Sequence, residues 1–206
     1  MSGVPRRVGV LISGRGSNLQ ALIDARRRGE LGGELGVVVS NVESAPGLDR
    51  ARAAGIPTAF KDHRGRHRED FDRDLVQILR HHDVELVCLA GFMRLLSAPF
   101  LEAFAGRILN VHPSLLPAFP GKEAQRQALE HGVGVTGATV HFVTEGLDDG
   151  PIVLQEAVPV LPGDDVDSLS ARILEAEHRI YPAAVRRVLG TPHRIVGRRV
   201  VFEETP

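Results

Sequence analysis

The chain has 206 residues, of which 43% are hydrophobic and 25% charged, a composition typical of an ordinary globular protein with a sizeable core. A formal net charge of -1 argues against the broad basic surface that nucleic acids and anionic membranes attract. The sequence shows no apolar run of the roughly 18 residues a membrane span needs, no signal-peptide pattern, and a single cysteine, Cys88. We therefore expect a cytoplasmic protein without nucleic-acid or membrane partners, with Cys88 buried as a structural thiol.

Apolar runs alternate with helical patterns through the first half of the chain. A short strand, residues 8–13, precedes a helical stripe formed by Leu19, Leu22 and Ile23. The same rhythm predicts further strands at 35–41, 56–60, 86–92 and 107–112, and helices at 47–55 and 67–82. Such alternation indicates the α/β class with a doubly wound, mostly parallel, Rossmann-like sheet.

The second half changes character. Residues 138–144 and 151–160 read as strands joined by a short turn, which favours an antiparallel pair. A long helix is predicted from Asp167 to about Arg187, and Pro182 is expected to kink or divide it. Residues 193–202 suggest a final hairpin, and the proline-rich segment 115–122 reads as a surface loop. The sheet should therefore end in antiparallel strands.

The stretch LISGRGSNLQ, residues 11–20, has the layout of a phosphate-binding loop. Gly14, Gly16, Ser17 and Asn18 join a strand to a helix whose first amides favour an anion. Leu19 replaces the third glycine of a dinucleotide fingerprint, and the Lys of a Walker A loop is absent, so a phosphate monoester fits better. A tight turn with Ser17 as the helix N-cap is the alternative.

The segment LNVHPSLLP carries the strongest chemical signal. Asn110 and His112 lie two residues apart on a predicted strand, so their side chains point the same way. A carboxylate from LDDG, residues 147–150, could complete a set that runs an acyl transfer: an oxyanion donor, an imidazole and an acid. Each feature alone also suits an ordinary turn. The lone cysteine offers little to a metal, and we expect no metal site.

Several segments, in order along nearly the whole chain, resemble the phosphoribosylglycinamide formyltransferase family: LISGRGSNLQALIDA, LAGFMRLLS, GRILNVHPSLLPAFPG, TGATVHFVTEGLDDGPIVLQEAVPV and EHRIYP. The resemblance implies the formyltransferase fold as one domain over residues 1–206, with residues 1–105 phosphate-binding and residues 106–206 folate-binding and catalytic. It implies transfer of a formyl group from 10-formyltetrahydrofolate to the amine of glycinamide ribonucleotide in purine (IMP) biosynthesis.

The resemblance also implies roles for particular residues. The catalytic set falls on Asn110, His112 and Asp148, the first Asp of LDDG; the role is not carried over to Asp149. Further implied contacts are Gly16, Ser17 and Asn18 to the 5′-phosphate, Glu177 to the ribose, and Arg68, Met93, Arg94, Leu95, Leu96 and Asn110 to the folate. Arg64 and Arg66 stay open as alternatives to Arg68, His141 is either a site residue or a packed sheet histidine, and a solvated helix charge is the alternative for Glu177.

Three other functions share these features. A formyltetrahydrofolate hydrolase uses the same chemistry with water as the acceptor, but such proteins carry an N-terminal regulatory domain for which the chain leaves no room before Val8. A methionyl-tRNA formyltransferase needs a C-terminal RNA-binding domain beyond Pro206. A catalytically silent phosphate-binding module is the third. We expect small-molecule substrates as the partners, and a monomer or homodimer.

Overall fold

A computed structural model describes residues 6–203, which divide into two compact units on either side of the boundary between Leu109 and Asn110. Within that described range, no helix combines the length and the apolar character that crossing a bilayer requires.

The first unit is built on parallel strands with the order β3-β2-β1-β4. Its strands are β1 (Arg7–Ile12), β2 (Glu34–Ser40), β3 (Thr58–Phe60) and β4 (Leu86–Leu89). Its helices are α1 (Ser17–Arg27), α2 (Pro46–Ala53), α3 (Arg68–His81) and α4 (Ala98–Ala103). Every residue of β4 is buried, as its unbroken apolar run predicts for a strand covered on both faces, and Cys88 on it is fully buried.

In the second unit the strand order is β5-β6-β7-β9-β8. Strand β5 (Ile108–His112) begins before the boundary and ends after it, and is followed by β6 (Val135–Phe142), β7 (Ile152–Pro159), β8 (His193–Val196) and β9 (Arg199–Phe202). Helix α5 (Ala124–Glu130) and the long helix α6 (Val166–Gly190) complete the unit. The pairs β6–β7 and β8–β9 are antiparallel, whereas β7 and β9 are parallel.

These elements confirm the predicted fold class: an α/β protein with a mostly parallel sheet, flanking helices and antiparallel strands near its C-terminus. Two details of the prediction were wrong or incomplete. Pro182 does not divide α6, which runs unbroken past it. Helices α4 and α5, with six and seven residues, are too short to show a clear apolar period and were not predicted.

Helix α6 tolerates Pro182 because its apolar face is firmly anchored. An internal proline costs about 3 kcal/mol through a lost hydrogen bond and a steric clash. Leu169, Ile173 and Val185 are all fully buried along the helix, and each such side chain contributes about 1.5–3 kcal/mol. A capping box between Asp165 and Ser168 also closes the first turn. Burial therefore outweighs the local cost of the proline.

Candidate active site

Two side chains of the second unit, His112 and Asp148, meet where β5 ends. His112 lies on β5 and is buried, and its Nδ1 atom lies 3.3 Å from Oδ2 of Asp148, in the loop between β6 and β7. Only 12% of the Asp148 side chain is exposed. The structure therefore brings a carboxylate from a distant part of the sequence against the imidazole.

The loop after β5 orients this pair through its backbone. His112 Nε2 donates to the carbonyl of Phe119 at 2.8 Å, and the amide of Gly121 donates to Asp148 Oδ2 at 2.8 Å. Because a carbonyl can only accept, Nε2 carries a hydrogen and Nδ1 is the atom that faces the carboxylate. Phe119 (φ 53) and Asp148 (φ 51) both adopt the left-handed conformation, which is uncommon for residues other than glycine. Sequence reasoning gave this loop no part in the site.

Thr139 on β6 fixes the start of that loop. Its hydroxyl accepts from the Leu116 amide at 3.0 Å and donates to the Ser114 carbonyl at 2.7 Å. Gln155 on β7 donates to both the Leu116 carbonyl and the Thr139 hydroxyl, at 3.0 and 2.9 Å. The segment predicted as a surface loop is thus exposed at its tip and anchored at its root, where Leu116 is buried. Such anchoring holds the Phe119 carbonyl where His112 can reach it.

The two acids of LDDG have different surroundings. Asp149 accepts a hydrogen bond from the Thr144 hydroxyl at 2.6 Å, a contact local to its own loop. Asp148 instead faces two imidazoles, since Nε2 of His141 lies 3.7 Å from its Oδ1 atom. Of the two acids, Asp148 is thus the one in contact with the imidazoles.

Asn110 meets the cluster through His141. Its Nδ2 atom lies 3.3 Å from His141 Nε2, and His141 is 2% exposed. Burial lowers the pKa of His141, an effect that outweighs the opposing hydrogen bond to the Phe142 carbonyl and the charge of Asp148. Across residues 6–203, no group of three or more His, Cys, Asp or Glu side chains has the arrangement of a metal site.

In the first unit, the glycine loop leads directly into α1. Helix α1 begins at Ser17, and its N-cap is Gly16 in the left-handed conformation (φ 72), with no side chain capping the first turn. The alternative interpretation, with Ser17 as the N-cap, was therefore wrong. The first turn of α1 contains no acidic residue, and Arg50 donates to the Arg15 carbonyl at 2.9 Å. Uncapped amides beside a guanidinium suit an anion.

Glu177 lies on α6 and is 7% exposed. This burial excludes the solvated helix charge that was its alternative interpretation. A buried carboxylate needs partners to offset its desolvation, and Glu177 has interactions within the protein.

The three arginines considered for the folate differ in their partners. Arg64 pairs with Asp62 at 2.7 Å and Arg66 with Asp74 at 2.6 Å. Arg68, the exposed first residue of α3, makes no ion pair with any other described residue. Among the three arginines, Arg68 thus has no described carboxylate that an incoming anion would have to displace.

The segment between β4 and α4 presents apolar side chains to the exterior and is fixed at both ends. Met93 is 77% and Leu95 63% exposed. The Ser13 hydroxyl accepts from the Met93 amide at 2.9 Å. Buried Asp72 accepts from both the amide and the hydroxyl of Ser97 at 2.6 Å. A loop restrained in this way keeps its exposed side chains and backbone groups in a fixed arrangement, as a preformed ligand site requires.

Known proteins share this fold, and comparison with them identifies the family of the chain. Residues 6–185 match the formyl transferase family, and the chain belongs to that family. Phosphoribosylglycinamide formyltransferase of Escherichia coli is 49% identical over 182 residues, covering 85% of this chain and 84% of that protein. A solved structure of glycinamide ribonucleotide transformylase 1 from Symbiobacterium toebii has 55% identity and a TM-score of 0.96, covering 98% and 96% of the two chains. These relatives confirm the resemblance seen in the sequence.

Another similar relative is much longer. The human trifunctional purine biosynthetic protein adenosine-3 is 53% identical over 183 residues, which make up 88% of this chain. The chain spans only 18% of that relative's length.

Proposed function

We propose that this chain transfers the formyl group of 10-formyltetrahydrofolate to the amino group of glycinamide ribonucleotide in purine biosynthesis. The observation that carries the proposal is the contact of Asp148 with His112, next to Asn110, in a member of the formyl transferase family. In this reaction the amine nitrogen forms a bond to the formyl carbon, and the bond from that carbon to the folate nitrogen breaks. One proton leaves the amine and one reaches the folate nitrogen.

Each member of the cluster has a task that its atoms suit. Asn110 Nδ2 is a hydrogen-bond donor for the charge that develops on the formyl oxygen, and one such donor contributes about 3 kcal/mol. The Asp148 carboxylate accepts the proton that the amine must lose, directly or through water. His112, oriented by the Phe119 carbonyl on one side and Asp148 on the other, helps hold the oxyanion and passes a proton to the leaving folate nitrogen. No covalent enzyme intermediate is needed.

The binding roles are proposals of the same kind. Gly16, Ser17 and Asn18 would hold the 5′-phosphate at the uncapped start of α1. Buried Glu177 would accept hydrogen bonds from the ribose hydroxyls. For the folate, Arg68, which makes no ion pair with another described residue, would supply a charge. The segment Met93–Leu96 and Asn110 would supply apolar side chains, backbone groups and an amide. We also predict that residues 1–105 bind the phosphate and that residues 106–206 bind the folate and carry out catalysis. A cytoplasmic location and a monomeric or homodimeric state are further predictions.

A spectrophotometric assay of folate conversion, run with and without glycinamide ribonucleotide, tests this function. We expect conversion that depends on the ribonucleotide. Equal conversion without it would identify a hydrolase, and no conversion in either case would identify a passive binding protein.

Competition tests the assignment of the glycine loop. Inorganic phosphate should compete with the ribonucleotide and leave the KM for the folate unchanged. Competition against the folate would show that the loop serves the other substrate.

A further inference from the structure

His141 is a buried histidine to which the proposed reaction gives no task. It lies near the end of β6, where the register with β7 shifts: Val140 pairs with Leu154 and His141 with Ile152. The register skips Val153 on β7, and a break of this kind in a ladder can re-aim neighbouring side chains. The histidine is 2% exposed and lies within 3.7 Å of both Asn110 and Asp148.

Its hydrogen bonds define which ring nitrogen carries the proton. Nδ1 lies 2.9 Å from the Phe142 carbonyl, and a carbonyl can only accept, so Nδ1 bears a hydrogen. Burial lowers the pKa of His141, so the ring is neutral near pH 7 and Nε2 has a free lone pair. That lone pair faces Asn110 Nδ2 at 3.3 Å and accepts one of its two hydrogens.

This contact determines the polarity of the Asn110 carboxamide. An amide group can rotate by half a turn, which exchanges its NH₂ and its oxygen, and its hydrogen-bond network decides between the two. With a neutral His141, the NH₂ end stays on the histidine side, and its second hydrogen remains available to an oxyanion. A protonated His141 would donate from Nε2 and attract the amide oxygen instead, turning an acceptor towards the reacting oxygen.

We propose that His141 is a positioning residue that holds the Asn110 carboxamide with its NH₂ directed at the reaction centre. This inference rests on the proposed function, because it assigns Asn110 as the oxyanion donor. The groups that face His141 are Asn110, Asp148, His112 and the Phe142 carbonyl, with Asp149 contributing charge from further away.

A double-mutant cycle on kcat tests the proposal. His141→Leu should lower kcat about 10-fold or more and change both KM values by less than about 3-fold, because a misoriented donor is lost mainly in the transition state. His141→Gln retains an acceptor near the Nε2 position and should recover most of the activity. In an Asn110→Ala background, His141→Leu should have almost no further effect, because residues that act as a unit are not additive. His81→Leu, on the exposed end of α3, is the matched control and should resemble the wild type.

The outcomes separate positioning from a general packing role. Equal losses of kcat from His141→Leu in the wild-type and Asn110→Ala backgrounds would overturn the proposal, as would a His141→Gln variant as impaired as His141→Leu.

A readout independent of activity keeps the two proposals distinguishable. ¹⁵N NMR of the histidine rings should show His141 as the neutral Nδ1–H tautomer near pH 7. An Nε2–H tautomer would refute the positioning role even in an active enzyme. Absence of formyl transfer in a protein with the expected tautomer would instead refute the proposed function.

Discussion

Replacing Asp148 with Asn removes a charge from the cluster and leaves its shape intact. The Asp148 carboxylate accepts from the Gly121 amide at 2.8 Å and faces His112 Nδ1 at 3.3 Å. In the variant, the amide oxygen can still accept from Gly121. An amide oxygen in the place of Oδ2 also still faces His112 Nδ1, and the NH₂ group takes the place of Oδ1, 3.7 Å from His141 Nε2. His112 Nε2 keeps its hydrogen bond to the Phe119 carbonyl. The substitution therefore keeps the hydrogen bonds that join the cluster to the loop after β5.

The expected result is a folded protein with little activity. A hydrogen bond contributes about 0.5–1.5 kcal/mol net, so exchanging these contacts should change the free energy of unfolding by about 1 kcal/mol or less. Loss of a positioned proton acceptor typically lowers kcat by about 10²–10⁴-fold. Urea unfolding and steady-state folate conversion measure the two quantities.

Asp149→Asn is the matched control, because Asp149 is the next residue, carries the same carboxylate, and makes its hydrogen bond to Thr144 outside the cluster. It should keep a kcat within about 3-fold of the wild type, in line with a surface polar contact. A wild-type kcat for Asp148→Asn, or equal losses for both variants, would refute the assignment of Asp148.

Four further predictions concern other parts of the account. Asn110→Ala should lower kcat about 10²–10³-fold; an effect confined to KM would remove Asn110 as the oxyanion donor. Gly16→Ala should raise the KM for the ribonucleotide, and it should lower the free energy of unfolding by more than Gly29→Ala does. Both glycines have a left-handed φ, but only at Gly16 would an added Cβ clash with backbone, lying 2.7 Å from the Gly47 Cα atom. Gly29→Ala isolates the conformational cost of about 1–2 kcal/mol, and equal unfolding free energies for the two variants would contradict this. Asp72→Ala leaves the buried Ser97 amide without its partner and should raise the KM for the folate more than the KM for the ribonucleotide. Asp70→Ala, an exposed control on α3, should change neither KM. Equal shifts in both KM values for Asp72→Ala would indicate general damage to the protein. The free energy of unfolding should fall as the pH drops below 6.5, because the lowered pKa of His141 means that the unfolded chain binds more protons than the folded chain in that range. His141→Gln should flatten this part of the pH dependence measured by urea unfolding. An unchanged slope in the variant would show that His141 does not contribute.

Most of the architecture was predictable because hydrophobic period carries it. Helix α3 has the apolar period of a one-sided helix, and the short, unbroken apolar run of β4 fits a strand covered on both faces. Helices α4 and α5 were missed, since one or two turns do not establish a period. The unbroken passage of α6 through Pro182 depends on packing against distant strands, which a local rule about proline does not include.

The candidate site was predictable as a set of residue types and not as a geometry. Two side chains two residues apart on one strand, Asn110 and His112, must share a face, so their pairing follows from the sequence. The carbonyl of Phe119 and the amide of Gly121 act through backbone atoms in a strained loop, and backbone groups have no sequence signature of their own. The contact between His141 and Asn110 also lies beside a shift in the β6–β7 register that the strand pattern did not reveal.

The fate of the formyl carbon tests the central claim most directly. The protein is incubated with 10-formyltetrahydrofolate labelled with ¹³C in the formyl group, with and without glycinamide ribonucleotide, and the products are followed by NMR. The account predicts that the label appears on the amine of the ribonucleotide, at a rate that Asp148→Asn greatly reduces. Labelled formate released at the same rate whether or not the ribonucleotide is present would contradict it.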